Sequence, residues 1–413
     1  MSRITVPISA EQHVLIVGAG LVGLVVAQGL KRRGIKATVF ERQPDAQGRT
    51  TGWAVTYHWA LHALEKMLPS DLYAELPKTA VDPFLGDDEG NFLVLDARDC
   101  SVIHRIPPSK ARLRTNRTKF RQLLLSGLDV HYEKDFGRYE LVGEHGVRVY
   151  FTDGTSVDGT TLVGCDGNNS KVRRQLFEPN VENATLNSIP VISYGVVRQL
   201  TAEQIAPLRA LDPLLFMSMN PDTETFIWYS IQSANADQSL FEVLVMVSHL
   251  VQDRSKELPK DCDSRLKIQD MKSRMAGIAE PLFSLINDIP EDSKATTISL
   301  ADWVPHEYDS HNGRVVVAGD ATGPMTMYRG EGVNHGTLDA ALLVQALSHH
   351  DRGLTPSLGA ALDAYQTEVR ERRKVAIPLS RQAALDGHGP GKPSADSPLV
   401  GVRGAPASLF TLE

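Results

Sequence analysis

HVLIVGAGLVGL, residues 13–24, sets a short apolar run against three glycines and then opens a second apolar pattern of different period. His13 to Val17 suits a buried strand, and from Leu21 to Arg33 the apolar residues recur at helical spacing. Lys31, Arg32 and Arg33 fall in the last turn, where cations oppose the negative end of the helix dipole, and Gly34 stands where a left-handed cap belongs. Ile35 to Phe40 then supplies a second, parallel strand, so the segment is a β-α-β unit. Gly18, Gly20 and Gly23 form a G-x-G-x-x-G loop between strand and helix. Gly18 permits the tight turn, Gly20 lets a pyrophosphate approach the backbone, and Gly23 lets helix and strand pack closely. Leu21 and Val22 bring helix-opening amides to the same loop. Glu41 ends the second strand, placed to accept from ribose hydroxyls. The motif alone leaves FAD and NAD(P) both open, but a 2′-phosphate would meet the Glu41 charge, which makes NADP the least expected occupant.

Outward from this unit, the whole chain sets the bounds. Its 413 residues, 42% of them apolar, suffice for more than one domain and a large core. The formal charge of −7 lacks the basic excess that nucleic-acid binding requires. Only Cys100, Cys165 and Cys262 are present, without close pairs, so neither a disulfide framework nor a structural zinc site is expected. No apolar run of membrane-spanning length occurs, and the polar start MSRITVPISAEQ does not resemble a signal peptide. A soluble, unprocessed chain in a reducing, cytoplasmic compartment is expected, with a small molecule rather than nucleic acid or membrane as its partner.

Two further blocks follow. Leu162 to Gly164 reads as a strand fed by a hairpin that turns at Asp153-Gly154, and Asp166-Gly167 follows with Ser170, Arg173 and Arg174 behind it. That carboxylate suits a ribose or phosphate contact, or equally a simple turn in which it caps the next helix. Arg314 to Ala318 reads as another strand, ending in Gly319-Asp320. Gly330-Glu331-Gly332-Val333-Asn334 then opens a helix running to about Ser348. The amides of Gly332 and Val333, with that helix's positive end, would stabilise an anion such as a reduced flavin. Between about Asn180 and Ser293 the character changes to β-rich stretches, Val191 to Leu200, Phe226 to Gln232 and Phe241 to Leu250, with a polar helical segment after Lys256. This predicts a separate sheet domain inserted into a discontinuous nucleotide domain.

Three ordered blocks, GAGLVGL with Phe40-Glu41-Arg42, GCDGNNSKVRR, and GDATGPMTMYRGEGVNHGTLDA, resemble the single-component flavin monooxygenases of the para-hydroxybenzoate hydroxylase type. The resemblance spans nearly the whole chain. It implies an α/β fold, α+β overall: a discontinuous Rossmann-type FAD-binding domain carrying an inserted β-sheet substrate domain. The division expected is residues 1–75, 101–180 and 294–385 for FAD, 76–100 and 181–293 for substrate, and 386–413, rich in Gly, Pro and Ser, as a loosely held tail. By resemblance Glu41 meets the adenosine ribose and Asp320 the ribityl and pyrophosphate. Asp166 serves both FAD and the nicotinamide, and Arg117 and Arg121 lie on a helix near the flavin. Arg42, Arg49, Ala54 and Asn334 complete the expected cofactor set. NAD(P)H reduces such a flavin, and dioxygen then gives a C4a-hydroperoxide that hydroxylates or epoxidises an aromatic or polycyclic substrate. Where the family often has a histidine and a proline after its Gly-Asp, this chain has Gly323 and Met327, and Glu331 replaces a common glutamine with Arg329 two residues before it. The Arg-Gly-Glu-Gly variant, together with TTGWAVTYHW, is similar to a subgroup found in microbial secondary metabolism.

Candidate catalytic groups come from the inserted sheet. Arg198 and Tyr229 are placed to orient a phenolate or enolate, against the plainer alternatives of a surface strand residue and core filling. Tyr194 and His249 are candidates of the same kind, and Trp53 one for the flavin ring. The charged run Arg370, Arg372, Arg373 and Lys374, alternating with Glu368 and Glu371, looks like a solvated helix face. Two other functions stay open: an FAD-dependent dehydrogenase or cyclising flavoprotein without oxygen insertion, and a flavin-binding sensor without turnover.

Overall fold

The computed structural model describes residues 12–47, 53–85, 92–107 and 112–413. Strand β1 (His13–Val17), helix α1 (Leu21–Arg32) and strand β2 (Lys36–Phe40) form the opening unit. After them come β3 (Val55–Tyr57), α2 (Leu61–Met67), α3 (Ser70–Ala74), β4 (Phe92–Asp96) and β5 (Val102–Ile106). Next are β6 (Leu113–Thr115), α4 (Arg117–Leu124), β7 (Val130–His131), β8 (Phe136–Val142), β9 (Gly146–Phe151) and β10 (Ser156–Gly159). β11 (Thr161–Gly164) and α5 (Lys171–Leu176) precede the long insertion. That insertion holds β12 (Asn187–Thr201), α6 (Ala202–Leu211), β13 (Leu215–Asn220), β14 (Thr225–Ala234) and β15 (Leu240–Leu250). It continues through α7 (Ser264–Ser273), α8 (Leu282–Asn287) and β16 (Ala295–Asp302), and the chain returns by β17 (Val315–Val317), α9 (Gly332–Asp351) and α10 (Leu358–Asp386).

Five parallel strands in the order β7-β2-β1-β11-β17 make the nucleotide-domain sheet. Val14 and Ile16 pack on one face against α1, α2 and α9, while Leu15 and Val17 pack on the other against β8, β9 and α5. Burial on both faces explains why these strands read as continuous apolar runs. The second sheet has seven strands, β16-β12-β15-β14-β13-β4-β5, antiparallel except where β13 meets β4. β5 belongs to it, so the early excursion into the second sheet extends through Ile106 rather than ending at residue 100.

α1 and α9 lie side by side. A Cβ on Gly336 would stand 2.6 Å from the Val22 side chain, and one on Gly29 would stand 2.7 Å from Met67 and 3.2 Å from Val344. Val22 against Gly336 and Gly29 against Val344 are contacts in the same sequence direction, so the helices run parallel and their N-termini share one end. Only glycine admits so close an approach.

Residues 387–413 are no loose tail: His388, Leu399, Val400 and Leu409 are buried, and Lys392 pairs with Asp96 of β4 at 3.1 Å. Nor is the 368–374 run uniformly solvated. Arg373 is fully buried and the Arg372 side chain nearly so, because both donate to Asp339 of α9, itself fully buried, which also accepts from the Gly319 amide at 3.0 Å. Replacing Asp339 with Ala therefore leaves the fully buried Arg373 guanidinium without its carboxylate and Arg372 with Glu368 in its place, and a loss on the order of 3–5 kcal/mol is expected. Thermal unfolding of the variant checks this, and an unchanged midpoint would contradict it.

Candidate flavin site

The C-terminal ends of β2, β1, β11 and β17 stand next to one another in that order and carry Glu41, Gly18, Asp166 and Asp320. Ligands of open parallel sheets lie in the crevice outside such ends. Gly18 adopts φ +108°, and a Cβ there would come within 2.4 Å of the Cys165 carbonyl oxygen. A Cβ on Gly23 would lie 2.1 Å from the Gly18 carbonyl oxygen. Gly20 differs: a Cβ there meets no protein atom within 4 Å, so it faces a cradle that the protein leaves open.

The first helical bond of α1 runs from the Leu24 amide to the Gly20 carbonyl at 3.0 Å, leaving the amides of Leu21, Val22 and Gly23 ahead of the ladder. At α9 the first runs from His335 to Glu331, also 3.0 Å, leaving Gly332, Val333 and Asn334. Both sets open at the same end of the paired helices and attract negative charge. Glu41 accepts from the Ala19 amide at 2.8 Å and from Gln43 at 3.0 Å, which fixes its carboxylate against the glycine loop and keeps lone pairs for ribose hydroxyls. Arg121 donates to the Ala19 carbonyl at 2.9 Å and to the Ala46 carbonyl, bracing the same loop from outside. Arg42 is exposed beyond the end of β2. Arg49 lies outside the described residues.

Asp166 uses one oxygen to accept from the Lys171 and Val172 amides at the start of α5, at 2.7 and 3.2 Å. Its other oxygen is buried without a hydrogen-bond partner among the described residues. Such an oxygen is costly unless something completes it. Asp320 is exposed to the cleft yet ringed by protein atoms: that enclosure raises its pKa, while Arg373, Arg117 and Arg173 pull it back. Arg117 is exposed in the first turn of α4, and its charge acts on Asp320. Arg173 joins the second and third blocks. Fully buried and 4.8 Å from the Trp303 ring, it donates to the carbonyls of Asn168 and Ala321 at 2.6 and 3.0 Å.

Asn334 stands apart from the rest of the expected set. Its side chain accepts from the His58 and Ala60 amides and donates to the Thr56 carbonyl at 2.9 Å. It fastens β3 to α9, leaving its amide as the group that faces the cleft. The Ala54 amide donates to Gln232 at 2.6 Å and ties the loop before β3 to the second sheet. Trp53 is half-buried beside it.

The candidates from the inserted sheet fall on its helix-covered face. Ile227, Tyr229 and Ile231 pack with α6, α7 and α8, whereas Phe226 packs with Tyr328, the end of α10 and Val400. Tyr229 is fully buried, stacked on Phe216 at 4.8 Å, and its hydroxyl has no partner among the described residues. Arg198 donates to the carbonyls of Leu285 and Asp288 at the end of α8. His249 bonds Glu257 at 2.8 Å and Arg274 at 3.1 Å, and burial lowers its pKa. Tyr194 shares that helix-covered face, where burial raises its pKa to about 12. Neither Arg198 nor Tyr229 is in the cleft. The opposite face presents Trp228, Ser230 and Met217, and Arg114 of β6 reaches it: 5% exposed, 2.8 Å from the Thr56 hydroxyl and 6.0 Å from the Trp228 ring centre. Arg114 and Trp228 carry no local motif, so only the sheet's register reveals them.

A glycine cradle, two co-directed helix ends, a strand-end carboxylate at Glu41 and an incomplete buried carboxylate at Asp166 together make a dinucleotide-cofactor site. The comparisons agree. Residues 16–71 match the NAD(P)-binding Rossmann-like domain and residues 286–380 the FAD binding domain. The FAD-dependent monooxygenase dbaB of Emericella nidulans is 41% identical, over 88% of this chain and 93% of its own. A "Probable FAD-dependent monooxygenase" of Arthroderma benhamiae is 36% identical, over 96% of both chains. Among solved structures, Klebsiella pneumoniae HpxO with FAD and uric acid superposes with a TM-score of 0.72 at 19% identity, covering 92% of this chain and 89% of that one. The 2,6-dihydroxypyridine-3-hydroxylase of Arthrobacter nicotinovorans also gives 0.72, at 16% identity, covering 95% and 97%. This chain belongs to the FAD-dependent monooxygenases, and FAD is its cofactor.

Gly20→Val tests the cradle. The open space predicts an unchanged unfolding temperature together with FAD affinity weaker by at least about tenfold, since the new side chain occupies the place of phosphate. Flavin fluorescence titration reads the affinity, and full retention of it would remove Gly20 from the site.

Proposed function

We propose that the chain uses NAD(P)H and dioxygen to hydroxylate or epoxidise a small aromatic or polycyclic metabolite between the Gly332 end of α9 and the Trp228 face of the second sheet. The observation that carries this is the convergence of four strand ends and two parallel helix N-termini at one end of the first sheet, with the loop before β3 and Arg114 tied to the second sheet at Gln232 and Trp228. Two structural neighbours handle oxygen-bearing heteroaromatic rings, one holding uric acid and the other named for 2,6-dihydroxypyridine, which favours a ring substrate here. The flavin, when bound, accepts electrons from the nicotinamide and activates dioxygen.

The protein's own groups bind, orient and exclude water. Amides of Leu21, Val22 and Gly23 hold the pyrophosphate, and Glu41 accepts from the adenosine ribose. Asp320 and the free oxygen of Asp166 lie further along, placed to accept from the ribityl hydroxyls. Gly332 and Val333 present amides to negative charge at the ring end. The part-buried Trp228 offers apolar contact to a planar substrate, and Arg114 adds a cation beside it. Among the described residues no helix is long and apolar enough to cross a membrane, and the proposed partner is a small-molecule substrate.

Reaction of the purified protein with NADH or NADPH and a panel of hydroxylated aromatics in isotopically labelled dioxygen tests this. Label in the product is expected. Substrate oxidation with all label in peroxide or water would favour the dehydrogenase alternative instead. Two neighbouring residues give a second check: Trp228→Ala is expected to lower turnover by at least about tenfold, whereas Tyr229→Phe, which deletes a buried hydroxyl without a partner among the described residues, stays within about twofold of the parent. The reverse order in steady-state kinetics would place the substrate on the other face.

A further inference from the structure

Glu331 occupies the N-cap of α9, next to the amides of Gly332 and Val333, yet its side chain makes no cap bond to the helix. It turns instead to Arg329, whose Nε donates to the Glu331 Oε2 at 2.7 Å, with both side chains buried. A carboxylate in that position is a problem for a site that must hold an anion. The helix end carries roughly half a positive charge, and an uncompensated full negative charge within one residue of it would reverse the local field. Burial makes such a charge more effective than it would be in water.

Arg329 is itself held from behind. It donates to the Pro398 carbonyl, and Arg403 donates from Nε to the Arg329 carbonyl at 3.1 Å. His58, bonded to Asn334 at 3.2 Å, adds no charge near neutral pH, since burial first and then Arg403 push its pKa to about 4. Three charges therefore meet at this end of α9: Glu331 and Arg329 in direct contact, with Arg403 beside them on the Arg329 backbone.

We propose that Arg329 is a positioning residue for flavin reduction: by neutralising Glu331 it keeps the Gly332 end of α9 attractive to the negative charge of the reduced ring, and the segment from Pro398 to Arg403 clamps it in place. This rests on the flavin ring lying at that helix end, as proposed above, but not on oxygen insertion. Reductive titration of the bound flavin therefore fails or succeeds independently of any labelled product.

The test compares Arg329→Gln, Glu331→Gln and the double variant in FAD-loaded protein. It measures the midpoint potential of the flavin and its affinity for sulfite, which adds to oxidised flavin to give an anion. Arg329→Gln is expected to lower the potential and weaken sulfite binding by about tenfold, the scale of a charge beside a helix end. Glu331→Gln shifts both in the opposite direction, and the double variant returns toward the parent. Unchanged values in Arg329→Gln, or a double variant that behaves like Arg329→Gln alone, would overturn the proposal. Should Arg329→Gln fail to fold, Glu331→Gln decides by itself: a potential that does not rise defeats the idea.

Discussion

The close parallel contact of α1 with α9 is the constraint from which the site follows. Val22 sits against Gly336 and Gly319, and Val344 against Gly29, so the helices register along their lengths. Because they run the same way, the positive ends of both dipoles open toward one crevice, and an extended dinucleotide can span them. Asp339 secures this arrangement from within α9 by holding the Gly319 amide and two arginines of α10. Buried ion pairs of this kind are poor sources of net stability, since desolvation consumes most of the attraction. Their value here is geometric: they fix where the third block's loop lies relative to the helix that follows it.

That division between local and distant causes decides what could be read from the sequence. The glycine loop was legible because each glycine answers a local need, a positive φ at Gly18, a close contact at Gly23 and an open approach at Gly20. Glu41 and Asp320 were legible as strand-end carboxylates for the same reason. The strands of the second sheet were legible too, yet their facing was not. One face of β14 shows Ile227, Tyr229 and Ile231 and the other Phe226, Trp228 and Ser230, and both are covered, so no polar alternation distinguishes them. An error of one position moves every side chain to the opposite side of a sheet. Arg198, Tyr229, Tyr194 and His249 all fell on the helix-covered face for this one reason.

Charge patterns were misleading where partners are remote in sequence. Arg370 and Lys374 behave as a solvated helix face should, pairing with Glu307 and Glu371 near the surface. Arg372 and Arg373, between them, are drawn inward by a carboxylate more than thirty residues earlier in the chain. Neither the spacing of charges along α10 nor its composition reports Asp339. Arg173 illustrates the same point in the second block: as part of a basic pair it looks like surface, but it spans two loops and lies over Trp303.

The C-terminal segment shows why composition is a weak guide to order. Gly, Pro and Ser leave it without strand or α-helix after Asp386, which suggests looseness, but irregular chain can be buried if its carbonyls find donors. Arg403 provides them, donating to Leu399, Gly401 and Arg329, while Leu399 and Val400 fill the space beside Phe226. His388 adds a bond to Ser248 of β15 at 2.8 Å, with Tyr328 of the third block 3.1 Å from the same hydroxyl. One short segment thus touches the substrate sheet and the loop before α9 together. It joins the two sheets of the molecule, and a mobile tail in its place would leave their separation to the crossing strands alone.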